Sequence, residues 1–121
     1  MHQLKVNEYS ITEIVLSNNK IIKGSAILDD DGRIFPLSIG DSIENFLEKE
    51  ENYKLLEMFK NKEIFLVGCG QNFIIPSIKI RKLVHDWGLK LEWVTTPMAL
   101  QIFNMLIEDK RGCFALLINE I

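Results

Sequence analysis

The second half of the chain alternates extended and helical patterns, and this feature constrains the fold more than any other. From residue 63 to 118 the order is strand, Gly-rich turn, helix, strand, Thr-Pro turn, helix, strand. Strands that alternate with helices form a parallel sheet, and ligands of such sheets bind at the carboxyl ends of the strands. We therefore expect any site to lie at two turns, Gly68-Cys69-Gly70-Gln71 and Thr95-Thr96-Pro97.

Apolar patterns and turn residues place the elements of this half. Ile64–Val67 is a continuous apolar run, which is typical of a parallel strand covered on both faces. A helix that begins at Pro76 ends at Gly88, since glycine readily takes the left-handed conformation after a helix. The next helix begins with the Thr96 hydroxyl predicted as its N-cap.

The first half has strand patterns followed by helical ones. Residues 11–16 and 21–28 resemble strands, and Gly24 inside the second predicts a bulge or a close backbone approach. A short third strand reaches Pro36, which places it near a sheet edge, and Ser42 could cap a first helix. We predict one domain with three parts: a β-rich hairpin region (1–40), a helical segment (41–62) and a βαβαβ half (63–121).

Composition limits the class of protein. The chain has 121 residues, 47% of them apolar and 26% charged, with a net charge of −3, which is typical of one globular domain and argues against general nucleic-acid binding. No apolar run approaches the roughly 20 residues that span a bilayer, and the N-terminus lacks the apolar stretch of a signal peptide. Two cysteines do not make a disulfide framework. We expect a cytoplasmic protein without a transmembrane segment, and peripheral association with a membrane stays open.

The Gly-rich turn allows three interpretations. Glycines after a strand and before a helix can bind phosphate, but Phe73 stands where the dinucleotide motif needs glycine, and no Walker lysine follows. The turn could be a tight bend, an anion site or a partner contact. A thiol near a helix start can be reactive, yet Cys69 would need a base, and the chain has only His2 and His85. We therefore predict no catalytic residues.

Three further features have a functional and a structural interpretation. Arg81 could bind an anion in a bidentate manner or belong to a solvated helix face. Asn104 lies mid-helix among apolar residues, so its amide must bond to a ligand or to nearby backbone. The Asp29–Gly32 run predicts a hairpin turn, because it lacks the spacing of a calcium loop. The histidines and cysteines lack zinc-ligand spacing, so we predict no metal and no cofactor.

The order of these motifs resembles the small Mth-type domain family, which includes mitochondrial complex I assembly factor 3 and the adipogenesis-associated Mth domain-containing protein. The segments that carry the resemblance are Ile22–Leu28, Ile64–Gly70, Pro76 with Arg81, Gly88–Glu92, and Thr96 with Ala99 and Asn104. The resemblance implies a three-layer α/β fold with a mixed central sheet and a small N-terminal β subdomain. It also implies a link to respiratory-complex assembly or membrane-protein biogenesis, and it brings no established catalytic residues.

The chain departs from the family pattern at three positions. Thr95 replaces the usual aspartate, Gln101 stands where arginine is common, and Phe103 stands where tyrosine is common. These changes deplete any polar pocket and favour a surface for a protein partner.

We therefore predict a non-enzymatic protein-interaction domain of assembly-factor type, with an unknown protein partner. An exposed strand edge of the N-terminal β region could also pair two copies of the chain. The first alternative is a small-molecule or anion-binding domain at the two turns, and the second is a thiol or redox enzyme that uses Cys69. The predicted ligand or partner site comprises Gly68, Cys69, Gly70, Gln71, Pro76, Arg81, Thr96 and Asn104.

Overall fold

The computed structural model describes residues 5–10, 13–37 and 43–119. The strands are β1 (Val6–Tyr9), β2 (Glu13–Leu16), β3 (Ile21–Lys23), β4 (Ser25–Asp29), β5 (Ile34–Leu37), β6 (Ile64–Gly68), β7 (Lys90–Val94) and β8 (Cys113–Leu117), and the helices are α1 (Ile43–Glu48), α2 (Glu50–Glu57), α3 (Ile78–Asp86) and α4 (Thr96–Glu108). The predicted strands and helices of the second half are confirmed in type and order. The predicted cap at Ser42 lies outside the described residues.

The central sheet is mixed, as the resemblance implies. Its five strands have the order β5-β4-β8-β6-β7. Strand β6 is parallel to both β7 and β8, whereas β4 is antiparallel to β5 and β8. The predicted edge position of the Pro36 strand is confirmed, since β5 lies at one end of the sheet, where the missing N–H of proline is tolerated.

Two hydrophobic cores lie on opposite faces of this sheet, because successive strand residues point to opposite sides. One core joins the central sheet to α4 and the small sheet, and the other joins it to α1–α3. In the second core the Phe114 ring stacks between Phe59 and Phe65, with centroids 4.7 and 4.4 Å away. Three layers result, and strands β6 and β8 are apolar throughout because both of their faces are buried.

The predicted strand at 21–28 is two strands in two sheets. Strand β3 belongs to the antiparallel sheet β1-β2-β3, and β4 belongs to the central sheet. The chain passes between them at Gly24, whose φ of 79° is left-handed. A side chain at this position would have no atom within 4 Å, so the backbone conformation and not crowding requires glycine. The prediction of a bulge or a close backbone approach is therefore wrong, and the residue marks a crossing between sheets.

Replacement of this glycine tests the role of the crossing. We expect Gly24→Ala to lower the free energy of unfolding by about 1–2 kcal/mol, since a Cβ is disfavoured at left-handed φ. Urea denaturation measures the change.

Gly112→Ala is the matched control. Gly112 is not left-handed, and its added Cβ would lie 3.7 Å from the Glu63 nitrogen, which is an ordinary contact. An equal loss of stability in both variants would contradict this account of Gly24.

Candidate functional site

The two predicted turns meet through the buried hydroxyl of Thr96. Its Oγ1 donates a hydrogen bond to the Ile118 carbonyl at 2.6 Å and accepts one from the Gly70 N–H at 2.9 Å. The Thr96 N–H also donates to the Gly70 carbonyl at 2.9 Å, and the Ile118 N–H donates to the Gly68 carbonyl at 2.9 Å. We call Gly68, Cys69, Gly70, Thr96 and Ile118 the turn junction. It joins the end of β6, the start of α4 and the end of β8.

The glycines of the junction have different roles. A Cβ on Gly68 would lie 2.9 Å from both the Cα and the Oγ1 of Thr96, closer than packed atoms approach. Gly68 therefore lets α4 approach the sheet, whereas Gly70 supplies a left-handed backbone, with φ of 111°. Side chains and internal hydrogen bonds fill this junction.

The predicted cap at Thr96 is wrong by one residue. Thr95 is the N-cap of α4, although its side chain makes no capping hydrogen bond, and Thr96 is the first helical residue. The hydroxyl of Thr96 bonds to the ends of two other segments, so it is not available to its own helix.

Cys69, a member of the turn junction, is buried. Its Sγ accepts a hydrogen bond from the Ile74 N–H at 3.4 Å and donates one to the Asn72 carbonyl at 3.6 Å. Helix α3 begins at Ile78, two residues after the predicted start at Pro76, so the helix does not directly follow the Gly-rich turn. A loop lies between them, and the Ser77 hydroxyl caps α3 by accepting a hydrogen bond from the Ile80 N–H at 3.2 Å.

The remaining predicted site residues lie in other places. Pro76 and Arg81 line a groove of about 390 Å³ beside β7, together with His85, Lys90 and Trp93. Gln71 follows the junction and is exposed.

Asn104 lies two turns along α4 from the junction, and it bonds to backbone. Its side chain accepts a hydrogen bond from the Val6 N–H at 2.8 Å and donates one to the Val6 carbonyl at 2.9 Å. The amide therefore fixes β1 against the helix, which agrees with the structural interpretation of Asn104. A shallow groove of about 220 Å³ lies between β1 and α4, and Asn104 and Gln101 belong to its lining.

Sequence reasoning missed one surface, the loop between β6 and α3. Phe73, Ile74, Ile75 and Ile78 are exposed there, within six residues. The sequence signal for this surface is the apolar run of Phe73, Ile74 and Ile75, which lies outside any predicted strand and precedes the apolar stripe of α3.

The acidic run is a hairpin turn, as predicted. The Asp29 carboxylate accepts hydrogen bonds from the Arg33 N–H at 2.8 Å and from Arg33 Nε at 2.6 Å. Three carboxylates lie together here, and the Lys62 ammonium lies 2.7 Å from Asp30 and 2.6 Å from Asp31. Two cations of the chain itself, Arg33 and Lys62, therefore pair with these three carboxylates.

Removal of the Thr96 hydroxyl from the turn junction should destabilise the protein. We expect Thr96→Val to lower the free energy of unfolding by about 2–3 kcal/mol, since it deprives the Gly70 N–H and the Ile118 carbonyl of a buried partner. Thr95→Val is the control and should change it by less than about 0.5 kcal/mol. Equal effects in urea denaturation would contradict the role of the Thr96 hydroxyl.

The buried thiol of Cys113 should make the stability of the protein depend on pH. Burial raises the pKa of its thiol to about 12, and the Asp30 carboxylate acts in the same direction. The unfolded chain releases this proton near pH 8.5 and the folded chain keeps it, so stability falls as pH rises between these values. From pH 8 to 10 the wild type should lose up to about 1.4 kcal/mol per pH unit more than Cys113→Ala. Parallel pH profiles from urea denaturation would contradict this.

Comparisons with known proteins agree with this fold. The chain is 22% identical over 82 residues to the 13 kDa major membrane protein of Francisella tularensis subsp. holarctica, a match that covers 68% of this chain and 67% of that one. The crystal structure of an outer membrane protein from Bartonella henselae superposes with a TM-score of 0.79 at 20% identity, over 98% of this chain and 97% of that one. A Mth938-like domain protein from Bordetella pertussis superposes with a TM-score of 0.74 at 14% identity, over 96% and 85% of the two chains.

Within the described part of the chain, the helices are too short or too polar to cross a membrane. The family model that describes proteins of unknown function, DUF498/DUF598, matches residues 6–118. With its Mth938-like fold, the chain is a member of the DUF498/DUF598 family.

Proposed function

We propose that the chain is a non-enzymatic protein-interaction domain of assembly-factor type, and that it contacts its protein partner through one face of α4. This face, the α4–β1 face, consists of Met98, Gln101 and Met105 together with strand β1. It lies on the side of the central sheet opposite α1–α3.

The exposed methionines of α4 carry this proposal. Met98 and Met105 are 47% and 60% exposed on a helix whose other apolar side chains are largely buried. With the exposed Gln101 they form one stripe, at spacings of three and four residues. Methionine is flexible and polarizable, so it adapts to varied partner surfaces. Strand β1 forms the edge of the small sheet beside this stripe. Beyond Val6, whose backbone N–H and carbonyl bond to Asn104, no described strand pairs with that edge.

The filled turn junction favours a partner over a small ligand. Thr96 already accepts and donates hydrogen bonds within the chain, and Gly68 has no room beside it. Phe103, where the family commonly has tyrosine, is buried in the core below the helix. No observation in the described residues favours the anion site or the Cys69 enzyme over the protein contact.

The comparisons support a connection with membrane proteins. The Francisella relative and the Bartonella structure are both named as membrane proteins. The resemblance to a complex I assembly factor points in the same direction. We propose that the partner is a subunit or client in the assembly of a membrane protein complex.

Site-specific photocrosslinking in cells tests the α4–β1 face. With a benzophenone amino acid at Met105, we expect a discrete product that contains the same identified protein in repeated experiments. Met58, which is 45% exposed at the end of α2, is the matched control and should not give this product.

A double variant tests whether the stripe supplies the affinity. Met98→Asp with Met105→Asp should lower recovery of that partner at least about tenfold, because charged groups would enter an apolar contact. Circular dichroism should show an unchanged fold, since both side chains are exposed. A product equal to that of the Met58 control, or unchanged recovery with the double variant, would contradict the proposal.

A further inference from the structure

We propose that an anionic lipid surface covers the exposed loop before α3. We call Phe73, Ile74, Ile75 and Ile78 the apolar tip. This surface goes beyond the protein contact proposed above, because it belongs to the layer of α3 and not to that of α4.

The apolar tip exposes large side chains that a soluble surface normally buries. Phe73, Ile74, Ile75 and Ile78 are 56%, 52%, 71% and 82% exposed. Contiguous exposed apolar residues of this kind mark contact surfaces for proteins or membranes.

Hydrogen bonds hold the tip outward from the sheet. Trp93 Nε1 donates to the Ile74 carbonyl at 2.6 Å, and the Ile74 N–H donates to Cys69 Sγ at 3.4 Å. Ser77 caps the helix that follows, so the loop is tied to β7, to the turn junction and to α3. These hydrogen bonds to the Ile74 backbone therefore keep the side chains of the tip exposed.

Positive charge adjoins the tip on the first turns of α3. Ile78, Arg81 and Lys82 share one face of the helix, at spacings of three and four residues. Both basic side chains are exposed, and within the described part of the chain neither makes an ion pair.

Two acidic groups on elements that neighbour α3 are already paired with other lysines. Glu48 is paired with Lys79 at 3.1 Å, and Glu92 is paired with Lys90 at 3.5 Å. Asp86 lies one turn beyond Lys82, at the end of α3 that is farther from the tip, so the charge next to the tip is that of Arg81 and Lys82. The chain as a whole has a net charge of −3, so the positive face beside the tip is a local feature and not a general property.

The spacing of apolar and basic groups fits a bilayer surface. Apolar side chains of interfacial segments enter about 5–10 Å, to the boundary between headgroups and acyl chains. Arg81 and Lys82 lie about one helical turn, or 5.4 Å, farther along α3 than Ile78. When the apolar tip is inserted, this distance places the two basic side chains at the level of the lipid phosphates. Anionic headgroups attract cations held at this level.

A second copy of the chain fits this surface less well. In a symmetric dimer each copy would bring its own Arg81 and Lys82 to the same contact, where like charges repel. The charge pattern therefore favours an anionic occupant over self-association.

Vesicle flotation tests the proposal with the purified full chain. The probe is large unilamellar vesicles of phosphatidylcholine with about 30% phosphatidylglycerol, compared with phosphatidylcholine alone. We expect binding to the anionic vesicles, a blue shift of tryptophan fluorescence from Trp93 beside the tip, and weaker binding when salt is raised to about 0.5 M.

Two variants separate the contributions of the tip and the charges. Ile75→Asp with Ile78→Asp, and Arg81→Glu with Lys82→Glu, should each lower the partition coefficient at least about tenfold. Ile21→Asp with Met58→Asp, on exposed apolar residues outside the tip, is the control for the first pair. The control for the charge variant is Lys20→Glu with Lys23→Glu, which makes the same change of charge on exposed lysines of the small sheet. Both control variants should bind the anionic vesicles within about twofold of wild type.

The proposal would be overturned by the absence of wild-type binding to anionic vesicles, by equal binding of the tip variant, or by a solution dimer that the tip variant dissociates. A protein partner that is lost with the tip variant, without any vesicle binding, would also overturn it and would assign the tip to a protein interface. None of these results depends on the photocrosslinking at Met105, so the two proposals fail separately.

Discussion

The arrangement of the molecule depends on one buried hydroxyl, that of Thr96. It bonds to the Gly70 N–H and to the Ile118 carbonyl, so it connects the loop after β6, the start of α4 and the end of β8. Gly68 permits this contact because any Cβ there would collide with Thr96. In many parallel sheets this location holds a ligand. Here the chain's own groups occupy it, and the exposed surfaces lie elsewhere.

The central sheet separates two exposed apolar regions. The α4–β1 face lies on one side, where α4 packs with the small sheet, and the apolar tip leads into α3 on the other side. A domain with this arrangement could hold a protein partner on one side and meet a lipid surface on the other. The proposed non-enzymatic role in assembly, in which the domain positions other proteins, would use such a division.

The sequence predicted the βαβαβ half well, because continuous apolar strands, Gly88 and Pro97 are local signals with one dominant interpretation. It failed at Gly24, since a left-handed residue can make a bulge or a crossing between sheets, and only long-range pairing decides which. It missed β1, whose polar sequence is fixed by Asn104 nearly a hundred residues away. The sequence pattern placed the N-cap of α4 at Thr96 because the Ile118 carbonyl, to which the Thr96 hydroxyl donates instead, is distant in sequence.

The most direct test of the closed turn junction is an NMR titration of the ¹⁵N-labelled protein with inorganic phosphate and with ATP. The account predicts that the amide resonances of Gly68, Gly70 and Thr96 do not shift, because hydrogen bonds within the chain fill this location. Saturable shifts of these three resonances would contradict it and would identify the junction as a ligand site.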